Sequence, residues 1–265
     1  MRRWLLGIIV FSTVSCGAQI TPLVTCSGTT SSCFCTSGSN CTTGGGFNGI
    51  GATLIKVTLA ITSTEVTTGT PPLATGNPVR ITDSSGNTYY CATNQMIGTC
   101  GYGANNAAIV VEWYTFAPVT TSNMTFTCTS FYCSMWVEAF SGTATNACVL
   151  DTYNGQYCGD SVTSCQPGAI TPAGNGELLS SSASSQSNIT GLAINDSFNL
   201  TGYEPSSVNS AGGIAYLVDS VHTSINPTWT WTSGAQRMGA GITAYKQFAA
   251  CNAPRHQQAT TIGPN

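Results

Sequence analysis

Two glutamates interrupt apolar runs: Glu112 in AIVVEWYTF and Glu138 in SMWVEAFS. Paired carboxyl groups are the equipment of a glycosidase, one acting as general acid and the other as nucleophile or base. Burial in such a run would raise a carboxyl pKa and prepare an acid. The plainer reading is that each points outward from its strand. The only histidines are His222 and His256, and there is no G-x-S-x-G elbow to accompany either in a Ser-His-Asp arrangement. No phosphate loop, dinucleotide fingerprint or His-rich metal spacing occurs, so neither a cofactor nor a metal site is expected.

A second group lies between Cys148 and Cys165, where CVLDTYNGQYCGD breaks the strand pattern with cysteines, tyrosines and amides. Tyrosine faces stack on sugar rings, and amides and carboxylates reach hydroxyl groups. Tyr153, Asn154, Gln156, Tyr157 and Asp160 are therefore candidate glycan-binding residues; a disulfide-pinned connector with polar cover explains the same residues. Lys56 falls in Leu54–Ile61, on the parity opposite Ile55, Val57 and Leu59. It reads as solvent-facing, with an intramolecular Lys–Asn cross-link, as in some surface adhesins, as the alternative.

The elements that must carry these residues are strands. Among 265 residues, 42% are hydrophobic but only 6% charged, against about a quarter charged in ordinary soluble domains. Thr, Ser, Asn and Gly must cover the surface, which suits strands and turns and gives no support to long surface helices. Arg2 and Arg3 followed by the short apolar run Trp4–Phe11 read as an export signal. Cleavage after Ala18 is expected, with lipidation of Cys16 as a minor alternative. Setting Cys16 aside leaves twelve cysteines, an even number that fits disulfides in an exported chain. Cys26, Cys33, Cys35 and Cys41 suggest a cross-linked N-terminal cap. Cys91 with Cys100 and Cys128 with Cys133 are the closures expected across hairpin tips. The net charge of −3 leaves no basic patch for nucleic acid, and no further segment is apolar and long enough to span a membrane.

The chain also repeats itself. ITDSSGNTYY (Ile81 to Tyr90) returns as INDSFNLTGY (Ile194 to Tyr203), and Ala107–Phe140 lies without gaps on Gly212–Tyr245. Met124 and Phe126 fall on Trp229 and Trp231, Val137 and Ala139 on Ile242 and Ala244, and Thr53–Ile55 resembles Glu177–Leu179. Preserved alternation implies preserved register. Asp83 and Asp196 read as turn residues rather than acids or metal ligands, and Trp229 and Trp231 as core. The Ser-rich Ser180–Ser187 looks like an exposed edge. The expected fold is an all-β, disulfide-stabilised, jelly-roll-like sandwich with an internal pseudo-two-fold repeat. Its expected parts are a signal peptide (1–18), a Cys/Gly/Thr-rich segment (19–46), one sandwich domain (47–247, half-repeats about 50–142 and 174–246) and a polar tail (248–265).

Three motifs carry a resemblance: Asp83-Ser84-Ser85-Gly86-Asn87-Thr88, Val137 to Gly142, and Ala240 to Lys246. Together they resemble a group of uncharacterised secreted bacterial β-sandwich domains with D-S-x-G-N-T turns, E-x-[YF]-S-G strand ends and a closing A-x-[FY]-K strand. The resemblance covers roughly residues 50–246 and implies location and fold more than chemistry. The abundant cysteines depart from the group's pattern. The resulting expectation is a non-catalytic exported surface module for carbohydrate binding or adhesion. A polysaccharide-acting glycosidase using Glu112 and Glu138, or a purely structural envelope protein, are the alternatives.

Overall fold

The alternating runs are realised as eighteen strands, with no α-helical element among the described residues. The computed structural model describes residues 19–27, 30–37, 40–62, 80–92, 101–102, 108–129, 133–206, 210–220 and 223–248. The expected signal sequence with Cys16, together with Cys100, His222, His256 and nearly all of the expected polar tail, falls outside these residues.

The first ten strands are β1 (Thr21–Val24), β2 (Phe34–Ser37), β3 (Cys41–Thr42), β4 (Leu54–Thr62), β5 (Arg80–Asp83), β6 (Tyr90–Cys91), β7 (Gly101–Tyr102), β8 (Ala108–Phe116), β9 (Phe126–Thr129) and β10 (Cys133–Ser141). A short 3-10 turn, Ala147–Val149, precedes the remaining eight. These are β11 (Leu150–Val162), β12 (Ser164–Cys165), β13 (Leu178–Ser185), β14 (Ala193–Ile194), β15 (Asn199–Glu204), β16 (Ala211–Val218), β17 (Trp229–Thr230) and β18 (Gln236–Tyr245).

All pairings are antiparallel and they occur twice. In the first half β10, β4 and β8 form the centre of a large sheet, flanked by β1 and β2 on one side and β6 and β7 on the other. A small sheet runs β3-β9-β5. In the second half the large sheet runs β11-β18-β13-β16-β15 and the small one β12-β17-β14. Matching the two lists in chain order brings the Cys-rich segment 19–46 into the first repeat as β1 to β3. The presumed connector becomes the opening strands of the second. Equivalent disulfides mark the match: Cys35–Cys41 joins β2 to β3, and Cys158–Cys165 joins β11 to β12.

Pairing register refines the sequence alignment. Leu54 faces Phe140 as Leu178 faces Tyr245, so the opening and closing strands match as the sequence suggests. Thr58, however, faces Glu112 where its counterpart Ser182 faces Ile214. Glu112 is thus the equivalent of Ile214, and the gapless match of Ile109 to Ile214 is out of step by an odd number of residues. Since odd shifts exchange faces, the Ile109–Ile214 identity is a coincidence of composition.

Each half buries its own apolar core between its large and small sheets. Val57, Val111, Val137, Phe126 and Met135 fill one; Leu179, Ile242, Trp229 and Met238 fill the other. Trp229 and Trp231 are core residues, as expected. The halves join through the opposite faces of their large sheets, where β4, β8 and β10 meet β13, β16 and β18. One end of this joint is apolar, with Leu54, Phe140, Leu178 and Tyr245. The ring contact Tyr114–Tyr245 has its symmetric counterpart in Tyr216–Phe140. A shared layer therefore exists between the halves, apolar at this end, and Ile214 of β16 belongs to the same buried cluster as Trp136 of β10.

The serine-rich strand is where expectation and structure part. β13 is not an edge: it lies between β16 and β18 and is buried along its whole length. Small side chains let the two large sheets approach; Ser180 and Ser181 have hydrogen-bond partners, whereas the buried Ser184 hydroxyl has none. Ser181 donates to the Gly241 carbonyl at 3.1 Å and accepts from Trp229 Nε1 at 2.9 Å.

The repeated turn is also used differently in its two copies. Asp83 accepts from Ser85 N (2.9 Å), Asn87 N (3.2 Å), Asn87 Nδ2 (2.8 Å) and Tyr89 Oη (2.7 Å), and Gly86 takes a φ of 75°. In the second copy Asp196 and Ser197 adopt φ values of 58° and 62° themselves. That is the left-handed pair of a tight four-residue turn, closed by Phe198 N donating to the Asn195 carbonyl at 3.3 Å, which carries the chain from the small sheet to the large one.

Candidate functional site

Alternation on β4, β8 and β10 puts Val57, Val111 and Val137 on the core face, so Lys56, Glu112 and Glu138 fall on the other. The second half covers that other face. Lys56 is 1% exposed, Glu138 0% and Glu112 3%. None points to solvent, contrary to the plainer reading of each. Lys56 Nζ lies 2.7 Å from Glu138 Oε2 and 4.0 Å from Glu112 Oε2, and donates to Ser180 Oγ at 2.8 Å. Ser180 donates to Glu112 Oε2 at 2.6 Å, Tyr245 Oη to Glu112 Oε1 at 2.7 Å and Thr201 to Glu138 Oε1 at 2.6 Å. One ammonium thus serves two carboxylates, with hydroxyls from the second half supplying the balance. Buried charge persists only when paired and hydrogen-bonded in this way. Sealed between sheets, the two carboxylates cannot straddle a polysaccharide, and the glycosidase alternative loses its pair.

The tyrosine-amide group lies on β11, the edge strand of the second large sheet. Tyr153, Gly155 and Tyr157 stand opposite Thr243, Gly241 and Gly239 of β18, on the face toward the joint. Asn154 and Gln156 take the other face and are already engaged. Asn154 Nδ2 donates to the Ala169 carbonyl at 3.0 Å and Gln156 Nε2 to the Gln166 carbonyl at 2.7 Å, binding the segment that the Cys158–Cys165 disulfide closes. Gly168, at φ 95°, permits that approach, because a β-carbon there would lie 2.6 Å from Asn154 Nδ2. The five candidates are therefore split: two hold the loop, while Tyr153, Tyr157 and Asp160 remain at the surface.

Tyr157 Oη donates to Asp160 Oδ1, which also pairs with Arg237 Nε at 3.2 Å. Desolvation and this carboxylate push the Tyr157 hydroxyl up to about 12. Arg237 Nη1 in turn donates to Gln186 Oε1 at 3.1 Å. Sequence reasoning missed Arg237 and Gln186. Neither belongs to a motif; they arrive from β18 and from the residue just past β13, and only the sheet order brings them to β11.

A second carboxylate cluster sits at the apolar end of the joint. Asp151 pairs with Lys246 at 2.7 Å. Glu177, fully buried, is pushed up to about 8, first by burial and then by the neighbouring Asp151 charge. An acid with a folded pKa above its ordinary 4.5 holds its proton longer in the folded chain. Its contribution is complete below about pH 4.5 and fades as pH rises through about 8. Glu177→Gln should abolish that decline: melting temperatures match at pH 4, and the variant melts higher than the parent at pH 9.

Among the described residues three disulfides close short loops of six or seven residues. Cys26–Cys33 joins Cys35–Cys41 in cross-linking the N-terminal strands, as the expected cap requires, and Cys91 and Cys148 are disulfide-bonded as well. Cys128 and Cys133 are the correction. They face each other across the first core from β9 and β10, which belong to different sheets, as two buried thiols with sulfurs 3.8 Å apart. The Cys133 thiol donates to Cys128, and that bond, with burial, pushes the Cys128 thiol up. An alkylating reagent should label both only after unfolding, as read by peptide mapping with and without denaturant.

Comparison with protein-family models, with curated proteins and with solved structures gives no significant match for this chain.

Proposed function

We propose that the chain is a non-catalytic extracellular module that binds glycan along β11. The observation that carries the reading is the row Tyr153, Gly155, Tyr157 on an edge strand beside Gly241 and Gly239. Two half-buried rings flank a stretch of backbone without side chains, which suits the flat face of a sugar. Asp160, Arg237 and Gln186 supply acceptors and donors for hydroxyl groups at one end of the row.

An extracellular setting is supported by the disulfides, which persist in oxidising compartments. Among the described residues no helix is long and apolar enough to cross a membrane. The turn and strand-end motifs that resemble those of secreted bacterial β-sandwich domains are in keeping with the same setting.

Binding should appear on a glycan array and in calorimetry. Tyr153→Ala and Tyr157→Ala should each weaken it about tenfold, the loss of one stacking face, with melting temperature unchanged. Absence of binding to every glycan offered, or indifference to both substitutions, would leave the purely structural reading. That reading is favoured by the ionic joint between the halves.

A further inference from the structure

Lys56 and Glu138 are direct cross-strand partners on β4 and β10, and both side chains stand into the closed joint. At 2.7 Å, Nζ is in contact with Glu138 Oε2, yet that oxygen receives no bond of hydrogen-bonding geometry. The amine lies against the carboxyl group rather than being a donor in line with it. The other oxygen, Oε1, takes the Thr201 hydroxyl at 2.6 Å, a donor placed where negative charge would build if the carboxyl carbon were attacked. On its far side Nζ donates to Ser180 Oγ, which donates to Glu112 Oε2. This is a two-step proton path from the amine to a second carboxylate, itself held by Tyr245.

From this arrangement we propose that Lys56 and Glu138 become joined by an amide bond, with Glu112 as the proton carrier. The first step is transfer of a proton from the ammonium to the Glu138 carboxylate across their 2.7 Å contact, which gives a neutral amine beside a neutral acid. The nitrogen lone pair attacks the carboxyl carbon, and the developing oxyanion on Oε1 is held by Thr201. A second proton leaves nitrogen through Ser180 to Glu112, which returns it to the departing Oε2 hydroxyl. The nitrogen–carbon bond forms, the carbon–Oε2 bond breaks, and one water departs. Glu112 ends as it began, no electrons are exchanged, and no co-reactant is needed. An amine held 2.7 Å from a carboxyl oxygen in a buried, closed site supplies the proximity such a step requires. The bond closes the chain between residues 56 and 138 and locks two neighbouring strands of the first large sheet.

Intact mass spectrometry of the full chain, with every disulfide reduced, tests this. The expected mass is one water below the sequence mass. Digestion should give a branched peptide in which Lys56 is joined to Glu138. Lys56→Arg, which keeps the charge but cannot condense, and Glu112→Gln, which leaves the reacting pair intact, should both show the full mass. Circular dichroism would establish that each variant is folded. A parent chain at full mass with Lys56 and Glu138 on separate peptides overturns the proposal, as does a water loss that maps elsewhere. Persistence of the cross-link in Glu112→Gln overturns the part given to Glu112. Because the branched peptide is read on the parent chain, failure of a variant to fold does not rescue or weaken the result.

Discussion

Lys56→Met should lower the unfolding free energy by about 3–5 kcal/mol, the usual cost of stranding a buried partner. The size follows from the stoichiometry of the joint, in which one ammonium stands between Glu138 and Glu112. Without it two carboxylates less than 4% exposed face each other in a closed space, and only the Thr58, Ser180, Thr201 and Tyr245 hydroxyls remain to satisfy them. Denaturant titration with disulfides intact measures the loss. Adding Glu138→Gln and Glu112→Gln to the same chain should recover much of it, because the penalty belongs to unpaired charge and not to the missing methylenes. A triple variant no more stable than the single one would mean that Lys56 acts by packing. If the amide forms, the single substitution loses the covalent closure as well, and its cost grows.

Gly212→Ala should cost about 3 kcal/mol, at the upper end of what overpacking does. A β-carbon at Gly212 would lie 2.4 Å from the carbonyl oxygen of Ala183 on the paired strand and 2.9 Å from Ala60 across the joint. The first is backbone within a sheet and the second belongs to the opposing sheet, so neither can turn aside as a long side chain would. Gly202→Ala meets Trp136 Cδ1 at 2.4 Å and should be comparably harmful. Gly174→Ala, where a β-carbon would come no nearer than 3.5 Å to Glu177 Oε1, is the control. It should shift the melting temperature little.

Strand content, the doubling and the turn at Asp83 were all legible because they are written in local patterns. Alternation, Gly and Asn placement and short repeated runs are properties of neighbouring residues. The joint was not legible, and for one physical reason. Alternation shows that Lys56, Glu112 and Glu138 share a face, but whether that face meets water or another sheet depends on a partner far along the chain. The same gap misplaced Ser180–Ser187: a strand of serines reads as wet until a sheet is found lying on it. The register of β16 was misjudged because Ile109 and Ile214 are identical, while the true counterpart of Ile214, Glu112, shares no chemistry with it. Cysteine spacing held a signal that went unused. Cys35 to Cys41 and Cys158 to Cys165 are nearly equal intervals ahead of equivalent strands, and they mark where the second copy begins.

Within the joint, Lys56 and Ser180 occupy equivalent positions and touch each other, so the relation between the halves passes through that contact. In a dimer of identical short chains the two occupants of such a spot must be the same residue: two lysines would repel, and two serines would bring no cation. Only a chain that carries both copies in tandem can set a cation on one side of the axis and a hydroxyl on the other. The asymmetry there, together with Glu112 standing where its counterpart is Ile214 and Glu138 where its counterpart is Thr243, is what allows charge to be kept at the centre of the joint.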